Sequence, residues 1–112
     1  GMRVFQFSSE DVGGVMDWLA LWLGGLDLVR VEAVWPGLDR GVIEEILDIA
    51  SRTPLWHVPI FLIGFPLSRV EKYEVRLILR DGGKVMIRRK NGVIEVMIPE
   101  KIMKLKFPVP LS

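Results

Sequence analysis

Residues 73–98 read YEVRLILRDGGKVMIRRKNGVIEVMI, and this stretch decides the fold. It holds three runs in which apolar and polar side chains alternate, and each run is long enough for a β-strand. Asn91-Gly92 separates the second run from the third and is the strongest short signal for a two-residue hairpin turn. Asp81-Gly82-Gly83 separates the first run from the second and predicts a three-residue hairpin loop. The stretch is therefore predicted to be an antiparallel meander.

The two turns also predict which residues face each other across the meander. The loop predicts that Arg80 pairs with Lys84, and the Asn91-Gly92 turn predicts that Lys90 pairs with Val93. Both registers place every side chain on a consistent face of the sheet. A slip by one residue would not do so, because it moves each side chain to the opposite face.

One face of the meander is apolar throughout and is predicted to be the core side: Leu77, Leu79, Val85, Ile87, Ile94, Val96 and Ile98. The opposite face has an apolar centre inside a basic rim, with Glu95 among the bases. This candidate binding face consists of Arg76, Ile78, Arg80, Lys84, Met86, Arg88, Lys90 and Met97. Tyr73 falls on the core side, so the candidate face lacks the aromatic platform on which sheet-type RNA-binding proteins stack bases.

The first 65 residues alternate predicted strands with predicted helices. Strands are expected at residues 3–7, 28–35 and 58–65, where β-branched and aromatic side chains cluster. Between them, one amphipathic helix is expected from a cap at Ser8 or Ser9 to Gly24-Gly25, and a second from a cap at Asp39 to about Ser51. This order of elements favours parallel strands joined by right-handed crossovers.

Beyond the meander, a last strand is expected at residues 103–107, with Lys104 and Lys106 protecting a sheet edge. The sequence thus predicts an α+β domain of two layers, in which two helices pack on a mixed sheet of about six strands with a C-terminal antiparallel meander. The first helix is apolar nearly all round in its last turns. We expect it to pack both on the sheet and against a second chain.

The 112 residues suit one domain spanning residues 2–112, with residues 108–112 as an extended arm. Gly1 before Met2 is typical of a residue left by tag removal. No apolar stretch reaches the length of a membrane span, and no basic segment precedes an apolar one at the N-terminus. The sequence therefore predicts a cytoplasmic protein without a membrane partner.

Charge is divided unevenly along the chain. Residues 1–68 carry four arginines and nine acids, a net charge of −5, whereas residues 69–112 carry eleven bases and five acids, a net charge of +6. Such an asymmetry suggests that the C-terminal part meets something anionic, either nucleic acid or the acidic face of a second copy. The chain is half apolar, which also favours a homo-oligomer.

Few residues can carry catalysis. The chain has no cysteine, which excludes disulfides, thiolate metal sites and a cysteine nucleophile. The lone histidine, His57, is expected to be a hydrogen-bonded structural residue and not a catalyst. Glu44, Glu45 and Asp48 could hold a magnesium ion, but such a group is more often the solvated side of an amphipathic helix. The sequence specifies no catalytic residue, no metal site and no cofactor.

Three classes of function therefore remain. The first is a small non-catalytic module for interaction and assembly, working as a homodimer. The alternative is a protein that binds RNA or DNA through the candidate binding face. An enzyme with a site built only of carboxylates comes third. One asparagine, one glutamine and no cysteine are also typical of a thermophile.

Overall fold

The computed structural model describes residues 1–37, 39–104, 107, 108 and 110. The strands are β1 (Met2–Ser8), β2 (Leu28–Val34), β3 (Tyr73–Leu79), β4 (Lys84–Lys90) and β5 (Val93–Pro99). The helices are α1 (Val12–Trp22), α2 (Arg40–Ala50), α3 (Val58–Gly64) and α4 (Glu100–Met103). Short 3-10 turns lie at Leu23–Gly25 and Leu55–His57. The predicted α+β class is confirmed.

The sheet has five strands in the order β1-β5-β4-β3-β2, and every neighbouring pair is antiparallel. The prediction of a mixed sheet of about six strands is therefore wrong. The parallel pairing expected between the early strands does not form, because β1 pairs with β5 and β2 pairs with β3. The first two strands become the opposite edges of the sheet, and the connection through α1 crosses its whole width.

Residues 58–65, predicted to be a central strand, form helix α3. Pro59 lies in the first turn of this helix, where its missing N–H costs no hydrogen bond and its fixed φ suits the helix. Val58, Ile60, Leu62 and Ile63 are all buried. A short run that is apolar on every side fits a buried helix as well as a buried strand, so periodicity could not separate the two.

The prediction of a last strand at residues 103–107 is also wrong at Met103, Lys104 and Phe107, which the structure describes. Met103 ends helix α4, which begins directly after Pro99. Leu105 and Lys106 lie outside the described residues. Of the predicted arm at residues 108–112, Pro108 and Pro110 are described, and the carbonyl oxygen of Pro108 accepts a hydrogen bond of 3.0 Å from the indole of Trp18.

The two predicted hairpins have different outcomes. Lys90 pairs with Val93 and the Asn91-Gly92 turn has both residues at positive φ, so the β4–β5 register is confirmed. In the other hairpin the Leu79 carbonyl accepts from the Gly82 N–H, and Leu77 pairs with Val85. The predicted β3–β4 register is therefore wrong by two residues, which leaves every side chain on its predicted face.

The physical reason is the position of the left-handed residue. A three-residue hairpin loop places a residue with positive φ last, and here that residue is Gly82 at φ +89°. The Asp81 carboxylate then accepts a hydrogen bond of 2.8 Å from the Gly83 N–H. The loop is Arg80-Asp81-Gly82, one residue earlier than predicted.

The core lies between one face of the sheet and the helices. All seven meander side chains predicted for the core are buried, and Tyr73 and Val75 extend the same row. Side chains of α1 and α3 close this layer from the other side. The prediction of two helices is not exact, since the described residues form four. Of these, α1 and α3 supply most of the buried helical residues and only Ile46 of α2 is buried.

Helix α1 begins after an Asp11 cap, two or three residues later than the cap predicted at Ser8 or Ser9, because β1 continues through Ser8. Its two tryptophans are covered within the chain, whereas Leu21 is 71% exposed. Trp18 packs on Phe5 with ring centroids 5.1 Å apart, and Trp22 packs on Phe107 at 4.7 Å. The contact of α1 with a second chain stays a prediction. Helix α2 begins after Asp39, as predicted.

The corrected hairpin can be checked by replacing glycines. A Cβ added at Gly82 or at Gly25 would meet no atom within 4 Å, but only Gly82 has a positive φ. We expect Gly82→Ala to lower the free energy of unfolding by about 1–2 kcal/mol, which is the cost of a left-handed conformation for an L-residue. Gly25→Ala is the matched control, and we expect it to change stability by less than about 0.5 kcal/mol. Urea denaturation of both variants measures the difference, and equal effects would contradict the corrected register.

Candidate functional site

The outer face of the sheet, which points away from the helices, is the candidate functional site. Along β3 and β5 every inward side chain is buried, whereas every outward one is partly exposed. Within the described part of the chain, no element therefore packs over this face. All eight residues of the predicted binding face lie on it or, like Arg80, at its border.

Strand register arranges the outer face in rows that run across the strands. One row holds Glu32, Arg76, Met86, Met97 and Val4. The next row holds Val34, Glu74, Arg88, Glu95 and Gln6. Side chains within a row are direct cross-strand neighbours, which is the distance at which pairs in a sheet interact.

The centre of the outer face is apolar, as the sequence predicted. Met86 and Met97 face each other across β4 and β5, and Val4 of β1 continues the row. Ile78 lies on β3 diagonally opposite Met86. Val4 and Met2 are each 46% exposed. These two were missed from the sequence, because nothing local showed that β1 lies beside β5.

The arginines of this face are largely neutralised by carboxylates of the same chain. Arg76 Nε donates to Glu74 at 2.6 Å and Arg76 also lies 3.8 Å from Glu32. Arg88 Nη2 lies 3.2 Å from the Glu95 carboxylate. The arginines of the predicted basic rim are thus ion-paired, with Glu95, which the sequence placed on this face, and with Glu32 and Glu74.

The border of the face continues the same pattern. Arg80 Nε donates to Asp27 at 2.8 Å, and this hydrogen bond raises the pKa of Arg80. Asp27 precedes β2, so its approach to Arg80 depends on the pairing of β2 with β3. Among the described residues, Lys84 and Lys90 are the two bases of the predicted binding face that form no ion pair.

The other candidate groups are not brought together. His57 is exposed, its ring lies edge-on to Trp56 with centroids 5.2 Å apart, and no hydrogen bond of its side chain occurs among the described residues. The expected hydrogen bonding of His57 is therefore not seen. Glu44, Glu45 and Asp48 are exposed on α2, and Asp48 pairs with Arg52 at 2.8 Å.

Among the described residues, no three histidine or carboxylate side chains lie close enough together to hold a metal ion. None of the helices formed by those residues is both long and apolar enough to cross a bilayer. The outer face thus remains the feature with the most distinctive chemistry.

Glu95 lies between Arg88 and Gln6 in the second of the two rows. Its carboxylate accepts a hydrogen bond of 3.1 Å from the Gln6 amide and one of 3.2 Å from Arg88 Nη2. These two hydrogen bonds, that from Gln6 first, lower the pKa of Glu95 below its usual range. Because the pKa is lowered in the folded state, the stability that the ionised group contributes is present at neutral pH. It is lost as the pH falls through the lowered pKa.

We expect Gln6→Ala to raise the pKa of Glu95 towards its ordinary value, because the first cause of the shift is removed. Titration followed by carboxyl carbon NMR measures this. Asp81 is the internal control, since its pKa is lowered by a hydrogen bond from Lys101 at a distant corner of the sheet. An unchanged Glu95 pKa in the variant would show that the hydrogen bond from Gln6 is not what lowers it.

Comparison with known proteins supplies no relative for this chain: no family model, no curated protein and no solved structure matches it. The functional argument therefore rests on the geometry of the outer face and on the residues around it.

Proposed function

We propose that this protein is a small non-catalytic assembly module that forms a homodimer by packing the outer sheet face of one copy on that of another. The observation that carries the proposal is the apolar centre of this face, formed by Val4, Ile78, Met86 and Met97, over which no described element packs. Val4 is exposed and the other three are half-buried. Apolar side chains that adjoin one another across strands and remain partly open to solvent favour a surface that is covered in the assembled state.

The size of the face suits a dimer of modest affinity. Five strands of seven residues, at about 4.8 Å between strands and about 3.3 Å per residue, give a face of about 24 by 23 Å. The flat area is roughly 550 Å² per partner, and the side chains that project from it add to the accessible surface. A standard interface buries about 800 Å² per partner. Nearly the whole face would have to be used.

The charges also favour a second copy over a polyanion. Glu32, Glu74 and Glu95 lie among the arginines of the outer face. A phosphate backbone laid across the rows would meet these three carboxylates. A second copy presents the same mixture of acids and bases, so a small shift between the two sheets places acids of one copy beside bases of the other.

A charge placed at the centre of the face tests this proposal. We expect Met86→Glu and Met97→Glu to convert the dimer to a monomer, because each buries a carboxylate in an apolar interface. The matched control is Leu47→Glu, which introduces the same charge at a residue that is 62% exposed on α2. Analytical ultracentrifugation at micromolar concentration, with circular dichroism to verify folding, gives the result. A wild-type monomer, or dissociation by Leu47→Glu alone, would contradict the proposal.

A second candidate function is binding of RNA or DNA by the same face. The observation that favours it is the spacing of Lys84, Arg88 and Lys90 along the outward side of β4, two of which form no ion pair among the described residues. Such a line of bases can follow a phosphate backbone. The carboxylates named above oppose it, which is why it ranks second.

For this candidate we expect Lys84→Ala combined with Lys90→Ala to weaken binding of mixed oligonucleotides to a similar extent for all sequences. The negative slope of log K against log salt should become shallower by about 1.4 for single strands, because each substitution removes one phosphate contact. Fluorescence anisotropy at low salt measures both quantities, with Arg52→Ala on α2 as a control that removes a base elsewhere. Absence of binding at low salt would end the nucleic-acid candidate.

Two broader expectations stay predictions. The first is the cytoplasmic location given in the sequence analysis. A thermophilic source rests on composition, to which the structure adds that Arg76 contacts both Glu74 and Glu32. Networks of this kind gain importance at high temperature.

A further inference from the structure

A basic groove lies at one end of the sheet, where β2 and β4 finish and β3 begins. The cavity has a volume of about 430 Å³, within the range of sites for small ligands. Five bases line it: Lys72, Arg76, Arg88, Arg89 and Lys90. Glu74 is the single acid among its lining residues. We refer to this cavity as the sheet-end groove.

The charge of the groove is only partly compensated. Arg76 pairs with Glu74 and Arg88 pairs with Glu95. The other three bases, Lys72, Arg89 and Lys90, form no ion pair among the described residues. Three positive charges around one concave site raise the local concentration of anions.

Arg89 is the most unusual residue of the groove. It occupies an inward position of β4, in line with the buried Val85 and Ile87, where the sheet pattern calls for an apolar side chain. Its Nη1 donates to the Ser68 carbonyl at 3.0 Å, which fixes the guanidinium. Its Nε is buried and has no partner among the described residues. A buried N–H without an acceptor is costly, and Trp22 Nε1 is in the same state elsewhere in the fold. It is therefore the place of Arg89 in the lining of the groove, and not this N–H, that favours an anionic ligand.

The neighbour of Arg89 across the sheet is Tyr73, which is buried. Burial raises the pKa of Tyr73 to about 12, with Arg89 opposing the shift. The phenol therefore stays neutral at physiological pH and does not cancel the charge of Arg89. The positive charge of the groove is thus maintained over the whole neutral range.

The groove also contains a large aromatic ring. Trp35 directly follows β2, is half-buried and lines the same cavity as the bases. A planar base can stack on an indole ring. Trp35 thus places in this groove an aromatic side chain of the kind that the predicted binding face lacks.

We propose that the sheet-end groove binds a nucleotide, with its phosphate against Lys72, Arg89 and Lys90 and its base against Trp35. A free nucleotide and the end of a single strand present the same chemistry, a phosphate next to a base. This inference does not rest on the proposed dimer, because Trp35, Lys72 and Arg89 lie outside the predicted binding face. Arg76, Arg88 and Lys90 belong to both, so a dimer that used the whole outer face would also cover that side of the groove.

Isothermal titration calorimetry at low salt tests the proposal with four probes: ADP, inorganic pyrophosphate, adenosine and a 5′-phosphorylated six-nucleotide DNA. We expect ADP to bind at least tenfold more tightly than pyrophosphate or adenosine, because only ADP engages both the bases and the ring. If the oligomer competes with ADP and binds more tightly, the strand end is the ligand. If it does not compete, the ligand is the free nucleotide.

Two pairs of variants locate the site. Lys72→Ala combined with Lys90→Ala removes two exposed bases of the groove and should weaken ADP binding at least tenfold. Arg80→Ala combined with Lys84→Ala removes the same charge at the opposite end of the sheet and should leave ADP binding unchanged. Equal losses in the two double variants would show general charge attraction and overturn the proposal, as would no ADP binding to the wild-type protein at millimolar concentration.

A single substitution then separates the ring from the charge. We expect Trp35→Ala to reduce ADP affinity to that of pyrophosphate while the affinity for pyrophosphate is unchanged, and Trp35→Phe to retain most of the ADP affinity. Circular dichroism verifies that both variants are folded. ADP binding that survives Trp35→Ala undiminished would overturn the assignment of the base to this ring.

Discussion

The structure depends on the burial of one face of the meander. Val75, Leu77, Val85, Ile87, Ile94, Val96 and Ile98 have no exposed surface. Because side chains alternate along a strand, a slip of one residue in any of these pairings would move a whole row to solvent. This constraint fixes the face on which α1 and α3 pack. It also determines which side chains are left on the outer face, and so it creates the candidate site by exclusion.

Local sequence predicted most of the meander, and the limits of that prediction have a physical cause. Asn91-Gly92 allows a single two-residue turn, and its register was correct. Asp81-Gly82-Gly83 offers two adjacent glycines, either of which can adopt the left-handed conformation. The choice is made by the Asp81 carboxylate, which accepts from the Gly83 N–H and leaves Gly82 as the left-handed residue. Since the resulting error was two residues, the strand residues were still assigned to the correct sides of the sheet.

What the sequence did not show depends on contacts between distant segments. The pairing of β1 with β5 joins residues more than 80 positions apart, and no local signal distinguishes it from the expected pairing with β2. The run at residues 58–65 is apolar at nearly every position, so it has no periodicity that could separate a helix from a strand. It is apolar throughout because the fold buries it on several sides. The same distance effect hid the acids of the site, because Asp27 and Glu32 reach Arg80 and Arg76 only through the pairing of β2 with β3.

The charge asymmetry of the chain takes a definite form in the fold. A base on an inner strand of the sheet has neighbours on both sides, and where β2 or β5 lies alongside, a carboxylate such as Glu32 or Glu95 balances it. At the end of the sheet this arrangement stops. β2 ends at Val34, and the partner of Lys90 on β5 is the uncharged Val93. The positive charge that the sequence assigns to its last third is therefore reduced over most of the outer face and only partly compensated at the sheet-end groove. The excess of bases in the composition thus becomes a local positive charge. A base is balanced only where a neighbouring strand supplies a carboxylate, and the groove begins where β2 ends.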